Sequence, residues 1–537
     1  MKTKEEIQNL IIDYFPKEKS IREEQQIVLE LILDSFFNKH NKHFIAELPT
    51  GVGKSLVATT FARILSTQEI DSNTTISTHT KILQHQYEND FGYDVLKGVS
   101  NYSCNNETRK SDFNYNSSQC RNLRKSSNCR DICPYTTALK RYEDSNIRIA
   151  NNSLLLSKTI EGKTKQFWIL DEAHHFADSL IDNYTLEFNS KDLETLSQKI
   201  ENTGLINNEQ IIKNIHSILM TFLKIEDVIT IDNPLFNKLL TQCENKRNAL
   251  KTLMDSGNIS SDMVEIYNIL NTYFIKLSDI INKKNIACYS VKNEKDGEYL
   301  STSLFFKPIY ANVVNINKKA DFFLHLSGTI MNIEEYAKEL GLTNYSSYTC
   351  DSPFDVSKRK IILKCDVDFS YKNRDDAHKR VGKIIDTLIE KQLDKRIIVH
   401  TSSYYQAHQI RINTANGFSI EIPSNERDIK RFLDTKKVLI GPSLYEGVDY
   451  YDDRLRTNVL AKVQFGNLGD PYTKLKMNLL PDWYEKETVK KFIQAYGRGV
   501  RHFDDYCDMI ILDSNFSRIK NSKFIPRWIK DAYIELK

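Results

Sequence analysis

Two short stretches carry the residue types that phosphate chemistry requires. The first, 46-AELPTGVGKS-55, ends in Gly53-Lys54-Ser55. Glycines free a backbone to turn and to approach a ligand, a lysine ammonium reaches phosphate oxygens, and a serine hydroxyl joins the coordination of Mg2+. Thr50 and Gly51 complete the loop. The common form is G-x-x-x-x-G-K-[ST], and here Leu48 stands where the opening glycine belongs. The second stretch, 167-FWILDEAHH-175, closes an apolar run with two carboxylates. Asp171 at a strand end suits Mg2+, and Glu172 beside it suits orienting or deprotonating a water. Loop and acids together make half of a site for hydrolysing a nucleoside triphosphate.

Cysteines mark a second kind of chemistry. Of nine in 537 residues, Cys104, Cys120, Cys129 and Cys133 fall within one stretch of 30, spaced C-x15-C-x8-C-x3-C. In an intracellular chain this points to metal or redox use before disulfides. Structural zinc commonly takes two close pairs of ligands, whereas a [4Fe–4S] cluster accepts four thiolates at looser spacing; the residues alone leave both open. Cys243, Cys288, Cys350, Cys365 and Cys507 are dispersed and read as small core residues. Between 104 and 141 eight Lys/Arg face three acids, with Tyr102, Phe113, Tyr115 and Tyr135 nearby or interleaved. Such a surface suits single-stranded DNA, phosphate by charge and base by stacking, against the plainer reading of a solvated basic face.

The elements that must position these residues follow from patterning. HFIAEL before the loop reads as a strand and Ser55 to about Leu65 as a helix; strands recur near 146–150 and 166–170. In 190-SKDLETLSQKIENTG-204, Ser190 is a candidate N-cap and Gly204 a stop. Apolar residues at helical spacing in 211–225 extend this to an all-helical insertion up to about 303. From 361 onward, IILK, RIIVH and KVLIG read as buried parallel strands, so the class is α/β with a second such domain. The length allows about three domains. A net charge of +3 is too mild to establish a nucleic-acid partner alone. No apolar run nears the ~18 residues a bilayer needs, and the N-terminus lacks a signal-peptide pattern, so a cytoplasmic protein with no membrane partner is expected.

PTGVGKS and DEAH resemble superfamily 2 helicases, and further matches resemble the XPD/DinG group of iron–sulfur DNA helicases, nearer the DinG type. Arg22 and Gln25 in 22-REEQ-25 resemble its adenine-reading Q motif, 78-THTKILQHQ-86 its DNA-tracking motif Ia, and 97-KGVSNYSC-104 the entry to the cluster domain. Then 327-SGTI-330, 352-SPFD-355, 398-IVHTSSY-404, 446-EGVD-449 and 494-QAYGRGVR-501 resemble later motifs in the right order, from about residue 22 to 513. In that group position 48 is usually alanine, so the missing glycine is a group trait.

The resemblance implies two RecA-like domains, the first built from 1–100, 141–183 and 304–335 and the second from 336–537. A [4Fe–4S] domain over 101–140 and a helical arch over 184–303 are inserted in the first. It implies ATP and Mg2+ as cofactors. Arg22, Gln25, Thr50, Gly51, Gly53, Lys54, Ser55 and Asp449 would hold nucleotide, with Ser55 and Asp171 on the metal. Glu172, Asp171, Lys54 and Gln494 would act in hydrolysis, while Arg498 and Arg501, three apart on an expected helix, would supply positive charge across the cleft. Cys104, Cys120, Cys129 and Cys133 would bind the cluster. The expected activity is 5′ to 3′ translocation of a monomer on single-stranded, tailed or forked DNA, with duplex unwinding, in repair or replication. The second reading is a DNA-stimulated ATPase that remodels protein–DNA or R-loop complexes. A nuclease is not expected, because the phosphate loop begins too early for a preceding exonuclease domain.

Overall fold

The computed structural model describes residues 1–535 apart from 70, 104–132, 158–163, most of 193–260, 282–284, 296–297, 392–394, 443, 445–449 and 451. Three sheets organise the described residues. The first is parallel and runs from edge to edge as β11 (Tyr345–Thr349), β1 (His43–Glu47), β10 (Phe322–Ser327), β5 (Lys165–Asp171), β2 (Ser72–Thr78), β4 (Ile147–Asn151) and β3 (Asp94–Val95). The second, also parallel, runs β14 (Ile420–Glu421), β15 (Val438–Gly441), β13 (Ile397–His400), β16 (Thr457–Leu460), β17 (Asp508–Asp513), β12 (Ile361–Val367) and β18 (Tyr533–Glu535). These are the two α/β domains expected from the strand patterning.

Burial explains why the strands read as continuous apolar runs. Every residue of β10, FFLHLS, is buried, as is every residue of β13, IIVH, because helices cover both faces of a parallel sheet. On the first sheet α2 (Glu23–Phe37) and α3 (Lys54–Gln68) supply that cover. Phe36 of α2 meets Phe61 of α3, Phe167 and Phe322 edge-on at 6.0, 5.5 and 5.1 Å between ring centres. Burying each such ring stabilises by ~1.5–3 kcal/mol, which fixes both helices against the strands that carry the loop and the acids. The preceding α1 (Lys4–Tyr14) begins with a reciprocal cap, Thr3 Oγ1 accepting from Glu6 N at 3.2 Å and Thr3 N donating to Glu6 Oε2 at 2.6 Å.

Two expectations are corrected here. The insertion up to 303 is not all-helical: β6 (Leu186–Asn189), β9 (Glu298–Pro308), β8 (Ile286–Lys295) and β7 (Ile229–Thr230) form an antiparallel sheet in that order. Alternation in β9 and the Asp296-Gly297 pair between β8 and β9 were the available signals for a hairpin. Ser190 serves the edge of that sheet, its Oγ accepting from Thr302 N at 3.1 Å, while Asn189 Oδ1 accepts from Lys191 N at 3.0 Å. The expected helix 211–225 lies outside the described residues. The first sheet also continues beyond 335, since β11 pairs with β1; the chain crosses to the second sheet after Thr349.

Candidate nucleotide site between the two parallel sheets

The loop 48–53 joins β1 to α3. Leu48 is buried, donates its N–H to Ser327 O at 2.8 Å, and is not among the residues with positive φ. The left-handed positions are Gly51 (φ 85°) and Gly53 (φ 94°), so the conformation needs glycine there and not at 48. Space demands it too: a Cβ on Gly51 would lie 2.5 Å from the Phe354 ring, and one on Gly53 would strike the Gln25 amide. Lys54, Ser55 and Leu56, the first turn of α3, line a cavity of about 600 Å3. Amide N–H groups of a first turn lack helical partners and favour an anion.

Across the cavity, β5 ends in the two acids. Asp171 is buried, with Tyr87 Oη donating to Oδ2 at 2.9 Å and Glu172 N donating to Oδ1 at 3.1 Å. Burial, then the neighbouring Glu172 charge, raises its carboxyl above the ordinary value, while Lys54 opposes the rise. A buried carboxylate that costs this much to ionise gains most from a cation placed beside it. Glu172 takes a left-handed backbone, φ 54°, which turns its side chain away from the strand direction. One oxygen lies 3.7 Å from Lys54 Nζ and the other 3.4 Å from His174 Nδ1.

The remaining wall comes from the second sheet. Gln494 Nε2 lies 2.6 Å from His174 Nε2, and His174 Nδ1 lies 2.7 Å from Ser327 Oγ, so one imidazole ties the two halves together. Burial first, then the cations around it, pushes His174 well below its usual pKa, leaving it neutral. Arg498 and Arg501 line the same cavity. They are not on a helix: the helix Trp483–Tyr496 ends before them at Gly497. A Cβ on Gly497 would meet Thr50 Cβ at 3.1 Å, so the turn approaches the phosphate loop closely. Arg501 N donates to Asp505 Oδ2 at 3.0 Å, and Asp505 is paired with Arg456. Asp452, His502 and Asp505 cluster closely, but Arg456 also lies 3.8 Å from Asp452, which gives this group a guanidinium for its cation.

Of the residues singled out in the sequence, Arg22, Thr50, Gly51, Gly53, Lys54, Ser55, Asp171, Glu172, Gln494, Arg498 and Arg501 all line this one cavity. The cradle, the cations and the buried carboxylate fit a nucleoside triphosphate with Mg2+. Gln25 is not part of the lining. It is 1% exposed, its Oε1 accepting from Arg22 N at 3.0 Å and its Nε2 donating to Val52 O at 2.8 Å. Asp449, Cys104, Cys120 and Cys129 lie outside the described residues; Cys133 is half-buried and immediately precedes the helix Pro134–Asp144. Sequence reasoning missed Tyr87, whose bond to Asp171 spans 84 positions, and the stack of His79 on His175 at 4.0 Å. The second histidine of DEAHH was the visible signal for the latter.

Comparisons with known proteins agree with this geometry. Residues 387–532 match the family described as helicase C-terminal domain, and residues 18–219 match the type III restriction enzyme, res subunit. The chain is 24% identical to the probable ATP-dependent helicase MJ0942 of Methanocaldococcus jannaschii, over 98% of this chain and 97% of that protein. It is 18% identical to the ATP-dependent DNA helicase CHL1 of Vanderwaltozyma polyspora, over 74% of this chain and 58% of the relative. The solved structure of S. tokodaii Xpd4 shares the fold with a TM-score of 0.59 at 13% identity, covering 96% of this chain and 100% of that one. With its ordered motifs, two parallel sheets and split nucleotide cavity, the chain is XPD/DinG-like and is similar to superfamily 2 helicases described as ATP-dependent.

Proposed function

We propose that the protein couples ATP hydrolysis to 5′ to 3′ movement along single-stranded DNA and separates the duplex ahead of it. The observation that carries this reading is the shared cavity, with Lys54, Asp171 and Glu172 on one sheet and Gln494, Arg498 and Arg501 on the other. Lys54 and the loop amides hold the phosphates. Ser55 and Asp171 would hold Mg2+, which neutralises phosphate charge. Glu172 orients the attacking water and takes its proton, and the two arginines stabilise charge on the transferred group. Because those arginines come from the far side, hydrolysis is tied to the width of the cleft, and cycles of opening and closing move the strand. Asp449 would add a contact to the nucleotide, as the resemblance implies.

The insert supplies the strand contact. Cys104, Cys120, Cys129 and Cys133 would bind a [4Fe–4S] cluster, and the excess of basic residues over 104–141 would track phosphates. At its root Tyr102 and Tyr135 meet edge-on at 5.5 Å, with Lys140 and Arg141 exposed on the following helix. One base–aromatic stack is worth ~1–3 kcal/mol against a mean of ~1.4 kcal/mol per duplex step, enough to hold an opened junction. The test is strand separation by anaerobically purified protein on duplexes with a 5′ or a 3′ single-stranded tail, with ATP. Unwinding from the 5′ tail alone, together with iron and sulfide near four per chain, is expected. DNA-stimulated ATPase without unwinding of either substrate would favour a remodeller, and stoichiometric zinc would overturn the cluster.

A further inference from the structure

Lys54, Asp171 and the two arginines line the cavity where phosphates would sit, and Arg22, at the start of α2, lines it too. Its Nη1 donates to Gly51 O at 2.6 Å, and its guanidinium lies 5.5 Å from the ring centre of Phe503. Phe503 belongs to the second domain and is 52% exposed. Its back is supported by Phe354, which meets it edge-on at 5.7 Å and 71° and itself packs beside Gly51. A flat cation and a supported, half-open ring therefore face each other across the cleft, next to the loop that would hold the phosphates. A planar group between them needs about 3.5 Å on each side, so entry widens the gap by roughly 1.5 Å.

Of the lining residues nearest Arg22 in the chain, Pro16, Glu18 and Lys19, none is a buried polar group held to read a base edge. Gln25 is buried, absent from the cavity lining, and bonded at both ends of its amide to Arg22 N and Val52 O. Glu18 and Lys19 are exposed. Strong discrimination between bases requires fixed polar groups left unpaired by the wrong base, whereas stacking accepts any base because each has a π face.

We propose that the nucleobase is held by stacking between Arg22 and Phe503, with Gln25 shaping the loop, so that the site accepts purine and pyrimidine triphosphates with similar affinity. This rests on the nucleotide site argued above and names the specificity of that same site.

The test is displacement of a fluorescent ATP analogue (mant-ATP) from the full chain by ATP, GTP, CTP and UTP with Mg2+, with melting temperatures taken alongside. The four should compete within about fivefold of one another, Phe503→Ala should weaken all four by about tenfold, and Phe503→Tyr should restore them. The melting temperature should stay unchanged, since the ring is half-exposed. ATP preferred by more than about fiftyfold, or Phe503→Ala without effect, overturns the stacking proposal while leaving the nucleotide site standing. Failure of every triphosphate, and of mant-ATP itself, to bind contradicts both.

Discussion

The two parallel sheets each have seven strands, yet they do different work at the ends of those strands. After β1 the first sheet turns through two left-handed glycines into α3 and leaves a cradle. After β12 the second sheet has no such turn. There Asp368 accepts from Ser370 N at 2.8 Å and from Asn373 Nδ2 at 2.7 Å, and among the described residues no glycine of this domain has positive φ. Its contribution is instead a turn of arginines delivered beyond the helix Trp483–Tyr496 and brought against Thr50 by the bare backbone of Gly497. In the proposed reaction one sheet would hold the phosphate and the other would reach it. A division of this kind makes the reaction depend on the distance between two bodies, which is what a motor requires.

The comparison can be broken from either side. Lys54→Ala removes the only lysine in the cradle, and turnover should fall by about 10³-fold with weakened binding of ATP in an equilibrium assay. Gly497→Val leaves the cradle intact but sets a side chain against Thr50, so the second half is held off. Here kcat should drop by about a hundredfold while nucleotide affinity weakens by no more than the roughly tenfold that loss of the Phe503 stack costs, a split read from steady-state kinetics beside equilibrium binding.

The smallest effect concerns stability and should be shared by both sheets. His43 in β1 and His400 in β13 are each lowered to about 4, in both cases chiefly by burial. Their neutral forms fit the core, so the unfolded chain takes up protons at higher pH than the folded one. Stability is therefore complete above the unfolded value near 6.5 and lost as the pH falls toward 4, by ~3 kcal/mol per histidine. Urea midpoints measured from pH 7 to 4.5 should fall, and His400→Asn should flatten that slope.

What was legible in the sequence was whatever a short segment decides by itself. The cradle needs glycine freedom within a few residues, the acids follow their own strand, and β13 and β15 announce burial by composition. Partnerships set by the fold were not legible. Tyr87 reaches Asp171 only because α4 (Lys81–Phe91) packs over β4 and over β2, the neighbour of β5, and Gln494 meets His174 across 320 positions. Asn152, to which no role attached in the sequence, bridges Ser77 at 2.6 Å and Ser179 at 3.1 Å and so locks β2 to the helix Phe176–Tyr184. The antiparallel hairpin at 286–308 was missed for another reason: a long helical pattern before it was extended past the turn that ends it. The expected helix under Arg498 and Arg501 failed because two glycines, Gly497 and Gly499, make helix costly there.

The division of labour is tested most directly by comparing Arg501→Ala with the unaltered protein in two assays, equilibrium binding of mant-ATP and single-turnover hydrolysis of ATP in the presence of single-stranded DNA. The account expects affinity within about threefold and hydrolysis reduced by about 10³-fold or more. Hydrolysis at the unaltered rate, or binding and hydrolysis lost together, would contradict a site whose second-domain arginines act on the reaction and not on binding.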